Sequence, residues 1–191
     1  MTAHSTQSVA ALAAPEALWH YACACYGAPG VADACLAAQD DLGADVCELL
    51  WLAWLYRFGL TPTADAPRAL APVRAHQARH TRTLRERRRA LKPLARPGSA
   101  LETWREQLKR AELAAEHAAL GMLQTLARRG DGVRARRAED GDLRTILQHH
   151  LGLPTERDDP VLARLARALE AMSESAHFPP QRRVALAPQS L

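Results

Sequence analysis

Arg82, Arg85, Arg89 and Lys92 recur every three or four residues along RTLRERRRALK, so on a helix they form one basic stripe. Arg74, Arg79, Arg87 and Arg88 flank it, Arg96 extends it, and Glu86 is the only acid among them. Guanidinium and ammonium groups in a row suit a polyanion or an acidic protein face. Three uses of the stripe follow. It can bind a protein partner or a nucleic acid, or it can be solvated and matched to acids of its own chain. No aromatic side chain that could stack on a base lies in residues 61–100, which weakens a single-strand reading. No named DNA-binding motif fits the segment.

Other residues of chemical interest are scattered. His76 and His80 are four apart and could face one metal, but no third ligand follows, and His80 lies on an apolar line. His149 and His150 point in different directions on a helix. Glu116-His117 lacks the second histidine of a zinc-protease helix. Cys23 and Cys25 are two residues apart and diverge on a helix; with Cys35 and Cys47 they are read as free, mostly buried thiols. Trp19, Gln39, Asp40 and Trp51 are the residues that could line a small-ligand or enzyme site. No nucleophile turn or Gly-rich phosphate loop is present, and no cofactor or metal is expected.

The charge is segregated. Over all 191 residues the net is +4, but residues 1–60 hold six acids against Arg57, while residues 61–100 hold ten bases against Asp65 and Glu86. Residues of the AVILMFWYC set make up 48% and aromatics only 5%; with Val and Ile scarce and no alternating stretches, strands are not expected. The N-terminus has no basic region followed by an apolar core and a cleavage site, so a cytoplasmic location is expected.

These residues need elements to position them, and the chain is organised around ADVCELLWLAWLYRFGL. Between Val46 and Tyr56 only Glu48 is polar. A helix apolar on all sides, and shorter than the ~20 residues that span a bilayer, must be surrounded by protein. Asp45 and Glu48 form its capping box, and Gly59 with Pro62 ends it. Before it come a helix from Pro15 and one from Val31 to Asp41 with Val31, Cys35, Leu36 and Leu42 inward. After it, residues 61–72 form a Pro-rich connection to a basic helix at about 73–92. A helix capped by Ser99 and Glu102 then runs to Arg129. Its main apolar face is Leu101, Trp104, Leu108, Ala111, Ala115, Ala119, Met122 and Leu126. A second stripe, Leu113 and Leu120, offers a homo-oligomer contact. Residues 130–141 read as a loop, and helices follow at 142–151 and from Pro160.

LWHYACACYGAPGVADACLAAQDDLGADVCELLWLAWL resembles the opening of a family of small, uncharacterised proteobacterial proteins known as a domain of unknown function. The features are Trp19 and Tyr26, Pro29-Gly30-Val31, Gln39-Asp40, Gly43-Ala44-Asp45-Val46, and the Leu/Trp run from Leu49 to Leu55. The later basic helix and the Ala/Glu-rich helix also look like the family. The resemblance spans roughly residues 16–130 and implies a compact helical fold with no assigned activity. The expected architecture is therefore an all-α bundle with a central Trp-rich helix and a long antiparallel helical hairpin. It comprises a tail at 1–13, one domain at 14–175 and a tail at 176–191. The expected function is an adaptor or regulator binding a protein through Arg82, Arg85, Arg89 and Lys92. Nucleic-acid or ribosome association through the same face, and a ligand or enzyme site near Trp19, Gln39 and Asp40, are the alternatives.

Overall fold

The computed structural model describes Leu12, residues 14–154 and residues 158–175; the two expected tails lie outside these apart from Leu12. The protein is all-α with one small sheet. In chain order it contains α1 (Ala17–Tyr26), α2 (Val31–Leu42), α3 (Val46–Arg57), β1 (Leu60–Pro62) and α4 (Ala66–His76). A π-helical turn (Gln77–Arg82), α5 (Thr83–Leu91), α6 (Ala100–Arg129), β2 (Val133–Ala135), a 3-10 turn (Ala138–Asp140), α7 (Leu143–His150) and α8 (Pro160–Ser175) complete the described elements.

As its composition requires, α3 is enclosed. Every residue from Val46 to Leu55 is buried, with α1, α2, α6, α7, α8 and β1 packed around it. Asp45 accepts from the Glu48 backbone N–H at 3.1 Å, the capping bond expected at that start. The core is a single cluster that includes Leu18 and Tyr21 of α1, Trp51 and Trp54, Leu123, Leu147 and Leu165. Gln124 of α6 ties the N-terminal approach down: it accepts from the Leu18 N–H at 3.1 Å and donates to the Ala14 carbonyl at 2.8 Å.

The α2 core face is Val31, Ala34, Cys35 and Ala38, and Leu36 is 45% exposed rather than inward. Small residues let α8 approach α2 closely, and a Leu one position on turns about 100° away. The connection at 61–72 is mostly helix: α4 starts at Ala66 because Pro67 sits in the first turn, where a missing N–H costs nothing. Helical backbone then continues through the π turn to Leu91 as one rod with Pro72 inside it.

Two strands were not expected. β1 and β2 pair antiparallel in the register Leu60–Ala135, Thr61–Arg134 and Pro62–Val133, and the Arg136 N–H donates to the Gly59 carbonyl at 2.7 Å beyond them. Three residues are too few to show alternation. Gly132 enters β2 at a φ of +69°, and a Cβ there would meet the Ala66 Cα at 2.9 Å. Gly132→Ala should therefore cost about 1–3 kcal/mol, from left-handed backbone and overpacking together, read as a lower urea midpoint with unchanged slope.

Candidate functional site: a basic arm and its anchor

Helix α6 is 30 residues long and starts as expected: Ser99 accepts from the Glu102 N–H at 3.2 Å and Glu102 from the Gly98 N–H at 2.6 Å. Only its second half meets the core. The buried residues are Glu112, Ala119, Leu120, Leu123, Gln124 and Ala127, a face rotated from the expected one. Leu120 belongs to the protein's own core, whereas Leu113 is 51% exposed, so the two do not make one exposed stripe. The first half of α6 pairs with α5 instead, and no residue from 83 to 111 is buried. The hairpin is thus an arm built outward from the core, and that is why Trp104 is 61% and Leu94 60% exposed.

A belt of buried and half-buried polar groups fixes the root of this arm. Arg85 donates through Nε to Glu112 at 2.8 Å and through Nη2 to Glu116 at 2.7 Å, and Arg88 donates through Nε to Glu112 at 2.5 Å. Burial raises the Glu112 carboxyl, but Arg88 and Arg85 outweigh it and leave it below the ordinary carboxylate range. Glu116 is pushed up by burial, despite Arg85. Beside them the Asp45 carboxylate accepts from Gln77 Nε2 at 3.1 and 3.0 Å, and Thr81 donates to Gln77 Oε1. The π-helical turn supplies Gln77 and Thr81, its two buried residues, to this belt. At the surface Arg89 donates to Asp40 at 3.0 Å and joins the arm to α2.

A second anchor lies deeper. Glu48, the one polar residue of the α3 interior, accepts from Arg74 Nε and Nη2 at 2.9 and 2.8 Å and from His150 Nε2 at 2.6 Å. Burial alone would raise its carboxyl, but the Arg74 and His150 hydrogen bonds bring it down to about 2. This three-way contact pins α4 and α7 to the central helix.

The expected stripe is thereby divided. Arg85 is half-buried in the anchor and Arg89 is held by Asp40. Arg82 and Lys92 are exposed, and no ion pair or side-chain hydrogen bond joins them to another described residue. Arg79, Arg87 and Arg96 are exposed in the same way. Residues 83–111 carry nine Lys and Arg against three Glu, a net of +6.

The other candidate residues have separate environments. Trp19 packs its ring 4.4 Å from His117, Trp51 is wholly buried in the core, and Gln39 donates to Asp40 at 3.4 Å on the surface. His76 and His80 lie ring to ring at 4.8 Å, and His76 Nε2 donates to the Ala115 carbonyl at 3.0 Å. Among the described residues no group of three or more His, Cys, Asp or Glu is placed to hold a metal ion. No described helix is long and apolar enough to cross a membrane.

Cys23 is exposed, and Cys25, Cys35 and Cys47 are buried. Burial pushes the Cys35 thiol up to about 12 and the Cys47 thiol well above its ordinary value. At Cys35 this leaves roughly a thousandfold less thiolate than an ordinary cysteine. One thiol, Cys23, should react with a maleimide in the native protein, and the other three only after denaturation. Mass spectrometry of the labelled peptides checks this.

Fold and arm together define a helical protein with a core built on one apolar helix and a charged two-helix projection. A family described as protein of unknown function (DUF2390) matches residues 17–123, more than half of the chain, and the protein belongs to that family. The match takes in α1 to α5 and the arm, and ends within α6. No curated protein and no solved structure matches the chain.

Proposed function

We propose that this is a binding protein, an adaptor or regulator, whose contact surface is the arm at 83–111 with Arg82 at its root. The observation that carries the reading is that this whole stretch contains no buried residue while holding a net charge of +6. A two-helix hairpin alone buries too little apolar surface to be stable independently. Leu94 and Trp104 are exposed well beyond what the isolated chain needs, and large aromatics anchor protein interfaces. The bases without a partner among the described residues, Arg82, Arg87, Lys92 and Arg96, would steer an acidic protein face toward them. Arg85 and Arg89 serve the same surface from its root, as the groups that hold its direction.

Nucleic-acid binding through the same surface has one observation in its favour: α6, which pairs with the basic helix, carries the exposed Trp104, an aromatic of the kind that residues 61–100 lack. Capture from native lysate, with and without nuclease, separates the two. The expected result is a stoichiometric protein that survives nuclease on the wild type and is missing from an Arg82→Ala/Arg87→Ala/Lys92→Ala/Arg96→Ala variant. Captured material that nuclease removes would replace the protein reading with the nucleic-acid one.

A further inference from the structure

Apart from the ion pairs that anchor the arm, one pair of metal-ligating side chains lies together. His76 ends α4 and His80 lies within the π turn, with ring centres 4.8 Å apart and planes tilted by 50°. A spacing of four residues puts both imidazoles on one face of the rod. His76 is half-buried and His80 exposed, so solvent reaches both rings. The Ala115 carbonyl of α6 sets the tautomer of the inner ring. It takes up the His76 Nε2–H at 3.0 Å, so on the neutral ring the lone pair sits on Nδ1. An imidazole with one N–H held by a carbonyl and the other nitrogen free is the form in which histidine ligates a metal.

The separation of the rings suits one shared ion. A metal lies about 2.0–2.1 Å from an imidazole nitrogen, and hence about 3.2 Å from the ring centre. Two imidazoles at about 90–109° around one ion, the square and tetrahedral limits, therefore have centres roughly 4.5–5.2 Å apart. The 4.8 Å of His76 and His80 falls inside that range. Among the described residues no third His, Cys, Asp or Glu joins them in a metal-binding group, so solvent oxygens complete the shell. The surroundings select the metal. Arg79 and Arg82 are exposed on the same stretch and oppose any cation. Mg2+ and Ca2+ take oxygen ligands, and this pair supplies none. Imidazole nitrogen holds Cu2+ most strongly among the divalent first-row ions, with Ni2+ and Zn2+ below it.

We infer that His76 and His80 form a two-histidine site for a transition-metal ion, Cu2+ before Ni2+ and Zn2+, at the root of the arm. His76 directly precedes the π turn and His80 lies inside it, so one ion on both rings holds the backbone across the entry of that turn. The site does not depend on what the arm binds.

The test is titration of the purified full-length protein with Cu2+, followed by calorimetry and electron paramagnetic resonance. Wild type is compared with His76→Ala, His80→Ala and a control, His149→Ala, at an exposed histidine elsewhere. The expected result is a bound ion whose spectrum carries two imidazole nitrogens. Either substitution at the pair should weaken that ion on the order of a hundredfold, because one nitrogen then acts without the other, and the control should leave it unchanged. Raising salt to ~1 M should not weaken it, since salt screens Arg79 and Arg82; an ion held by carboxylates would weaken instead. Amide hydrogen exchange over residues 77–82 should slow with Cu2+ in the wild type and not in His80→Ala. Circular dichroism confirms that each variant is folded. If His76→Ala is not, His80→Ala carries the comparison by itself, since its side chain is exposed. A wild type that binds no ion overturns the proposal, as does an ion with a single imidazole nitrogen or one that His80→Ala keeps undiminished.

Discussion

Glu48→Ala should lower the unfolding free energy by about 3 kcal/mol, because it removes the acceptor shared by the buried His150 ring and the half-exposed Arg74 guanidinium. The carboxylate is 4% exposed and takes three donor atoms from Arg74 and His150. Removing it strands His150 Nε2, whose side chain is 9% exposed, whereas Arg74, at 46%, can turn to water; a buried donor without an acceptor costs more than the pair contributed. Glu48→Gln keeps the shape and one acceptor oxygen, so it should cost less than the alanine variant. Thermal unfolding reads the difference: for a chain of this size about 3 kcal/mol is roughly 10 °C in Tm. The same carboxyl makes the protein acid-sensitive. Its value of about 2 in the fold lies below the ordinary 4.5, so its contribution is complete above about pH 4.5 and is lost as pH falls toward 2. The full contribution is on the order of 3 kcal/mol, and the stability gap between wild type and Glu48→Gln should narrow across that window.

Trp51→Ala is expected to cost about 3–5 kcal/mol for a different reason. Trp51 is 0% exposed at the centre of α3, with helices on all sides, so little can collapse into the cavity left behind. Its indole Nε1 has no hydrogen-bond partner among the described residues. Trp51→Phe should then cost less than about 1.5 kcal/mol, since a close apolar replacement removes that unpaired donor along with some buried area. Chemical denaturation of the two variants side by side separates packing from polarity at this position.

Much of the body was legible in the sequence for local reasons. The Val46–Leu55 run states its burial directly, and Asp45 and Ser99 each cap the helix that follows, as their positions suggest. Glu48 stood out as polar in that run, but its partners Arg74 and His150 are 26 and 102 residues away, and no local pattern names them. The same limit hid the division of the basic stripe. Periodicity puts Arg82, Arg85, Arg89 and Lys92 on one line, yet only the tertiary approach of Glu112, Glu116 and Asp40 decides which of them are held. Trp104 was misjudged because an apolar face says nothing about how far the core extends along a long helix. Leu36 was misjudged because α8, which selects the small-residue face of α2, lies more than a hundred residues on.

The division of the bases has a direct experimental consequence. Arg85→Ala/Arg88→Ala should destabilise the protein, since it strands Glu112 at 6% exposure. The outer set is made of exposed side chains whose loss leaves stability within roughly 0.5 kcal/mol. The decisive measurement is therefore partner capture by the Arg82→Ala/Arg87→Ala/Lys92→Ala/Arg96→Ala variant, made at a Tm matched to wild type. Capture lost at unchanged Tm is the result this account predicts. Undiminished capture by the same folded variant would contradict it, and the basic arm would then be a solvated projection with the contact surface elsewhere.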